Sequence, residues 1–273
     1  MRLERFERQL RAEEKSQATV AKYIRDTKAF LRYIGDVKLI TKERVIAYKQ
    51  YLSINYKVSS ANSMLAAVNS FLRFIGYTDC VVKSFKMQRE VFRERNRELS
   101  KEEYQRLLDV ARGKGKLRLF YLMQTIAATG IRVSELPFIT VESLYVRRAR
   151  VLLKGKSRMV ILPRKLCQEL LQYAKKRKII KGSIFVTRSG RPLDRSNILH
   201  EMKALSQEAK VSKEKIFPHN LRHLFAVTYY NTAQDLCRLA DLLGHSNINT
   251  TRIYTKVSCE EQEKQIDSLG LLA

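Results

Sequence analysis

Pro218-His219-Asn220-Leu221-Arg222-His223-Leu224-Phe225-Ala226 reads as the opening of a helix. Proline suits a first helical turn, where its missing N–H costs nothing and its φ is already helical. At 3.6 residues per turn, Leu221, Leu224, Phe225, Thr228 and Tyr229 share one side, while His219, Arg222, His223 and Ala226 share the other. The pattern predicts an apolar side against the core and a second side from which His219 and Arg222 project together, one turn apart. Upstream, Ala128-Thr-Gly-Ile-Arg132-Val-Ser-Glu135-Leu136 supplies another arginine. Downstream, Leu236, Leu239, Ala240 and Leu243 form a second stripe that stops at Gly244, which sets His245 in a turn just past a helix C-terminus. Asn249 or Thr250 is the expected cap of a short helix that carries Tyr254.

Two guanidinium groups, two imidazoles and a phenol suit one kind of chemistry. Breaking a phosphodiester puts charge on the non-bridging oxygens, and planar, permanently charged guanidinium forks neutralise it bidentately. A phenol becomes a nucleophile once its proton is taken, and an imidazole has the proton affinity for that task. Arg132, His219, Arg222, His245 and Tyr254 therefore point to phosphoryl transfer through a covalent tyrosyl intermediate, with no metal and no cofactor. A zinc site would need clustered ligands, and a metal-dependent nuclease would need grouped carboxylates; the chain has neither pattern.

The composition agrees with a nucleic-acid partner. Lys and Arg outnumber Asp and Glu by 53 to 27 in 273 residues, a formal charge of +26. Such a charge costs self-repulsion in the compact state and is best explained by a polyanion. It does not choose between DNA and RNA. Cys80, Cys167, Cys237 and Cys259 are scattered, with no Cys-x-x-Cys pair, which suits free thiols in a reducing cytoplasm. No run of 18 apolar residues suggests a membrane span, and the N-terminus lacks the apolar core of a signal peptide.

Along the chain, residues 1–84 read as short amphipathic helices. Ser16 caps one that Gly35 ends, Thr41 opens a second, and Ser59 or Ser60 opens a third that closes at Gly76. Residues 85–98 are polar and charge-dense, as an interdomain strap lying along DNA would be. From 99 to 273 the pattern changes. Ser100-Lys-Glu-Glu103 is a capping box, and a helix from about Lys116 to Thr129 stops at Gly130. Between Leu144 and Pro163 lie three β-rich runs, Leu144-Tyr-Val146, Arg150-Val-Leu-Leu153 and Arg158-Met-Val-Ile-Leu-Pro163, with a hairpin turn at Lys154-Gly-Lys156-Ser157. The expected fold is thus mainly α, with a small antiparallel sheet in the C-terminal part.

The stretches ATGIRVSEL, PHNLRHLFA and LLGHSNINTTRIYTKV, in this order and at these distances, resemble the tyrosine recombinase (phage integrase) family. The resemblance implies two domains: a four-helix, SAM-like core-binding domain and a C-terminal catalytic domain. It implies Arg132, Lys154, His219, Arg222, His245 and Tyr254 as the catalytic set. Lys154 and Lys156 both lie in the hairpin turn, and the family's habit of placing lysine directly before glycine selects Lys154 as general acid. The implied activity is site-specific cutting and rejoining of double-stranded DNA through a 3′-phosphotyrosyl link, without ATP. The layout resembles the compact Xer or small-integrase type, since helices beginning near residue 16 leave no room for an arm-binding domain. The implied assembly is a ring of four on DNA, each protomer passing its C-terminal helix (Ile266, Leu269, Leu271 and Leu272 on its apolar side) to a neighbour. Two other functions suit parts of this pattern: a type IB topoisomerase, and a catalytically idle DNA-binding accessory protein on the same fold.

Overall fold

The computed structural model describes residues 2–86, 97–153, 156–187, 189–245, 247–254 and 267–268. It divides into two units, Met1–Glu90 and Val91–Ala273. Lys154, Gly155, most of the expected strap (87–96) and nearly all of the tail after Tyr254 lie outside the described residues.

The first unit has four helices: α1 (Arg2–Ala12), α2 (Gln17–Ile34), α3 (Lys42–Asn55) and α4 (Val58–Phe74). Ser16 and Thr41 cap α2 and α3 as expected, each accepting from the backbone N–H three residues on. The third expected start differs: Lys57 holds the cap position of α4 without a side-chain bond, so neither Ser59 nor Ser60 opens it. Phe30, Tyr48, Leu52, Leu65, Val68 and Leu72 are fully enclosed and form the core. After α4 the chain returns along that helix. Asn69 donates to Val82 O and accepts from Val82 N, and Asn62 does the same with Phe85. These two side chains, two turns apart, each complete a pair of backbone bonds that a sheet partner would otherwise supply. Asn69 is buried as it makes these bonds.

The second unit begins with α5 (Lys101–Gly113), behind the Ser100–Glu103 capping box, and α6 (Leu117–Thr129), which Gly130 ends in the left-handed conformation. A 3-10 segment, Val133–Phe138, leads to α7 (Val141–Tyr145). The expected strand at Leu144–Val146 is therefore absent. Thr140 and Ser143 form a reciprocal cap that closes one helical turn around Leu144, and a local cap outweighs the β-propensity of three residues. The other two runs pair as β1 (Arg148–Leu153) and β2 (Lys156–Ile161), antiparallel with Arg148 opposite Ile161 and Leu152 opposite Ser157. Four helices follow: α8 (Arg164–Lys176), α9 (Arg195–Lys203), α10 (Pro218–Ala233) and α11 (Leu236–Leu243).

Helix α10 passes through the unit with α6 on one side and α11 on the other. Leu221 joins the main core with Leu122, Met123 and Ile126, while Ala226 joins Leu239, Leu243 and Tyr254 in a second cluster. This reverses part of the expected division of faces. Arg222 and Ala226 are enclosed, whereas Leu224, Phe225, Thr228 and Tyr229 are partly exposed along an open groove shared with Tyr104, Ala127 and Ala128. A helix covered on two sides has no single wet face for periodicity to detect.

Candidate active site

Arg222 is 1 % exposed, so its charge must be met inside the protein. Its Nη1 donates to Gly130 O, and its Nη2 donates to Leu243 O at 2.8 Å and to His245 Nε2 at 2.9 Å. The two carbonyls come from the ends of α6 and α11, where helices leave acceptors unused and the dipole favours a cation. Burial, then the charge of Arg132, lowers the Arg222 pKa to about 10, which still leaves it fully ionised at neutral pH. Three of its five donors are thus committed, and the guanidinium plane is locked.

Gly130 makes this possible twice over. Its φ of +64° is left-handed, and a Cβ there would collide with the ring of Phe225. Gly130→Ala is expected to destabilise the protein by about 2–5 kcal/mol, combining ~1–2 for the left-handed backbone with ~1–3 for overpacking. A lower midpoint of urea denaturation at unchanged slope is the measurement; an unshifted midpoint would show that the Phe225 ring moves aside freely.

His245 follows from the same bond. Arginine only donates, so Nε2 must accept, and the proton sits on Nδ1, which donates to Thr251 Oγ1 at 2.9 Å. The ring is neutral. Burial first, then the charges of Arg222, Arg132 and Arg158, lowers its pKa to about 4. Between about pH 6.5, the ordinary histidine value, and pH 4, the unfolded chain takes up a proton that the folded one refuses. This stability is therefore fully present above pH 6.5 and is lost as pH falls towards 4. Thermal melts of wild type and His245→Gln over this range should converge on acidification; parallel curves would contradict the buried neutral imidazole.

Arg132 is more open, with 42 % of its side chain accessible. It pairs through Nη1 with Glu135 Oε1 at 3.1 Å. Glu135 is 2 % exposed and also accepts from Arg132 N at 2.8 Å and from Arg158 Nη2 at 2.6 Å. Burial alone would raise the Glu135 pKa, but hydrogen bonds from Arg158 and from the Arg132 backbone, with both charges, outweigh it and hold the carboxyl below its ordinary value. His219 sits in the first turn of α10, beside a cleft of about 310 Å³ that Arg132, Ser134, Arg195 and Arg222 also line. Burial, Arg222, Arg132 and Arg195 all lower its pKa, so it too favours the free base.

Tyr254 belongs to a 3-10 turn, Arg252–Tyr254, and is 2 % exposed. The preceding turn, Ile248–Thr250, is capped by Asn247 rather than by Asn249 or Thr250. The phenol ring stacks on His245 with centroids 6.3 Å apart and meets His223 edge-on at 5.0 Å. Burial raises its pKa, opposed by the neighbouring guanidinium charges of Arg222 and Arg132. Arg132, His219 and Arg222 thus line one cleft, and behind Arg222 the chain brings His245, through its bond to that guanidinium, and Tyr254, through its ring on His245. Lys154 lies outside the described residues, and of Lys156 only the backbone at the start of β2 is described. Sequence reasoning assigned no role to Glu135, Arg158 or Thr251. The one available signal was a Glu three residues after Arg132, the spacing of a reciprocal cap.

A helical first unit, joined to a second unit that gathers two arginines, two histidines and a tyrosine around the Arg222 guanidinium, defines a class that comparison makes specific. Residues 97–261 match the phage integrase family, and residues 3–76 match the phage integrase N-terminal SAM-like domain. The tyrosine recombinase XerA of Thermococcus kodakarensis is 30% identical over 280 residues, 99% of this chain and 95% of that protein. XerD of Halalkalibacterium halodurans is 29% identical, covering 89% of this chain and 88% of its own. A crystal structure of XerA recombinase covers 100% of this chain and 98% of its own at 25% identity with a TM-score of 0.55. A lambda integrase dimer bound to a COC′ core site shares the fold at 18% identity and a TM-score of 0.74, covering 93% and 75%. The chain belongs to the phage integrase family, as a tyrosine recombinase of the site-specific kind.

Proposed function

We propose that the protein cuts and rejoins double-stranded DNA at specific sites, with Tyr254 attacking a phosphate to form a 3′-phosphotyrosyl link and release a 5′ hydroxyl. The observation that carries this is the bond between the buried Arg222 and His245 Nε2, with Tyr254 stacked on that imidazole. A phosphate bound by Arg132 and Arg222 would lie beside the Tyr254 hydroxyl, whose proton affinity the Arg222 guanidinium already lowers. The positive cluster lowers the cost of ionising the phenol and stabilises charge developing on the non-bridging oxygens. His219, favoured as the free base at neutral pH, would assist removal of the phenol proton. His245 would support the phosphate, and Lys154 would protonate the leaving 5′ oxygen. The 5′ hydroxyl of a partner strand reverses the step, the ester conserving the bond energy, so neither ATP nor a metal takes part.

In the same proposal, residues 1–84 form the core-binding domain, 85–98 the strap between the domains and 99–273 the catalytic domain. Solved relatives include a lambda integrase tetramer bound to a Holliday junction, which supports a synaptic tetramer here. The open groove along Leu224, Phe225 and Tyr229 is a surface on which a neighbour's apolar tail could settle. Among the described residues no helix is long and apolar enough to cross a membrane. A cytoplasmic location completes the proposal, since that is where a prokaryotic chromosome and its mobile elements are.

The test is covalent capture of DNA from a random-sequence pool, followed by relaxation of supercoiled plasmids with and without the captured sequence. Relaxation confined to the plasmid with the sequence is expected; equal relaxation of both would favour a topoisomerase, and no capture would favour an idle binding protein. Binding to the captured sequence should weaken by about 10³–10⁵-fold between 50 and 200 mM salt if six to ten phosphates are contacted. A flat salt dependence, measured by filter binding, would detach the +26 charge from DNA.

A further inference from the structure

Arg158, on β2, bonds to two of the segments that carry catalytic candidates. Its Nη2 donates to Glu135 Oε2 at 2.6 Å and its Nε to Glu135 Oε1 at 3.3 Å, a two-pronged grip on a carboxylate that is nearly inaccessible. Its Nη1 donates to Leu242 O, in the turn that leads to His245. The stem of the side chain crosses Gly244 so closely that a Cβ there would collide with Arg158 Cδ, which explains glycine immediately before His245. The remaining capacity of Glu135 is taken by Arg132, through both its backbone N–H and its Nη1. Arg132 is the exposed arginine of the pair, and nothing but Glu135 and a longer bond to Leu243 O, at 3.4 Å, is described as fixing its direction. Without Arg158, Glu135 would be a buried anion held by Arg132 alone, and Arg132 would be drawn inward to compensate.

We propose that Arg158 is a positioning residue for strand cleavage: it saturates Glu135 so that the Arg132 guanidinium stays turned to the cleft, and it fastens the His245 turn to the hairpin that carries Lys154. This rests on Arg132 neutralising the scissile phosphate, as proposed above. Arg158 itself touches no reacting atom. One side chain thus ties β2 to the end of α11 and to the Glu135–Arg132 pair.

The test is single-turnover cleavage of a nicked duplex carrying a sequence captured by the wild-type protein, with the scissile linkage either an ordinary phosphodiester or a methylphosphonate. The methyl group removes the negative charge that Arg132 serves, so a defect in charge neutralisation should fade on it, while a general folding defect should not. Arg158→Ala is expected to cleave the phosphodiester about 10- to 100-fold more slowly, as a misplaced catalytic group does, with DNA affinity nearly unchanged. On the methylphosphonate the deficit should shrink severalfold. Arg158→Lys keeps a cation beside Glu135 but cannot grip both oxygens and Leu242 O at once, so it should fold and show the same pattern more weakly. Equal deficits on both substrates, or no deficit in either variant, would overturn the proposal. Arg132→Ala run alongside separates the two levels. If Arg132→Ala is relieved by the methylphosphonate and the Arg158 variants are not, positioning by Arg158 fails. If Arg132→Ala itself is not relieved, the role given to Arg132 fails first and takes this proposal with it.

Discussion

Tyr254→Phe should yield no covalent protein–DNA product while binding DNA within about twofold of wild type, because the phosphate contacts that dominate affinity are untouched. The change removes one oxygen from a side chain packed against Ala226, Leu239 and Leu243. The ring keeps its place between His223 and His245, and only the hydroxyl's interaction with the Arg222 charge is lost. Since Arg222 retains Gly130 O, Leu243 O and His245, the loss of stability should be about 1 kcal/mol. Denaturing gels of nicked substrates and thermal melts would measure the two effects. Adduct formed by the Phe variant would exclude Tyr254 as the nucleophile. Tyr229 and Tyr230, packed on the same cluster, and the exposed Tyr145 would then be the tyrosines to test.

The parts of this molecule legible in its sequence are those decided within a few residues. Ser16, Thr41 and Ser100 cap helices where a short polar side chain precedes an apolar period, and Gly35, Gly130 and Gly244 end helices at positive φ. The convergence of Arg132, His219, Arg222, His245 and Tyr254 was legible for a different reason: their order and spacing resemble a family. The turn at Leu144–Val146 was not, because a cap between Thr140 and Ser143 competes with β-propensity at the same residues. Nor were the faces of α10, because whether Arg222 or Phe225 is enclosed depends on α11 and the Tyr254 turn, which arrive from later in the chain. Arg158 is the plainest case. Its partners lie 23 and 84 residues away, and on a β-rich hairpin an arginine looks like any other cation of a basic protein.

Lys154→Ala should slow strand cleavage by about 10²–10⁴-fold, the usual worth of a positioned general acid. A 5′ alkoxide leaving without a proton is a very strong base, whereas a thiol of ordinary pKa near 8.5 leaves readily as the thiolate. A substrate whose scissile 5′ oxygen is replaced by sulfur should therefore restore most of the rate to Lys154→Ala. It should do little for Arg158→Ala, whose expected defect lies in neutralising the non-bridging oxygens. The methylphosphonate substrate should behave in the opposite way, relieving Arg158→Ala and leaving Lys154→Ala slow. The two chemical substitutions thus separate proton donation from charge neutralisation at residues only four apart. β2 begins at Lys156, whose backbone is tied to the ladder through the pairing of 153 with 156. Relief by sulfur in Lys156→Ala, with Lys154→Ala unaffected, would move the general acid to the strand end.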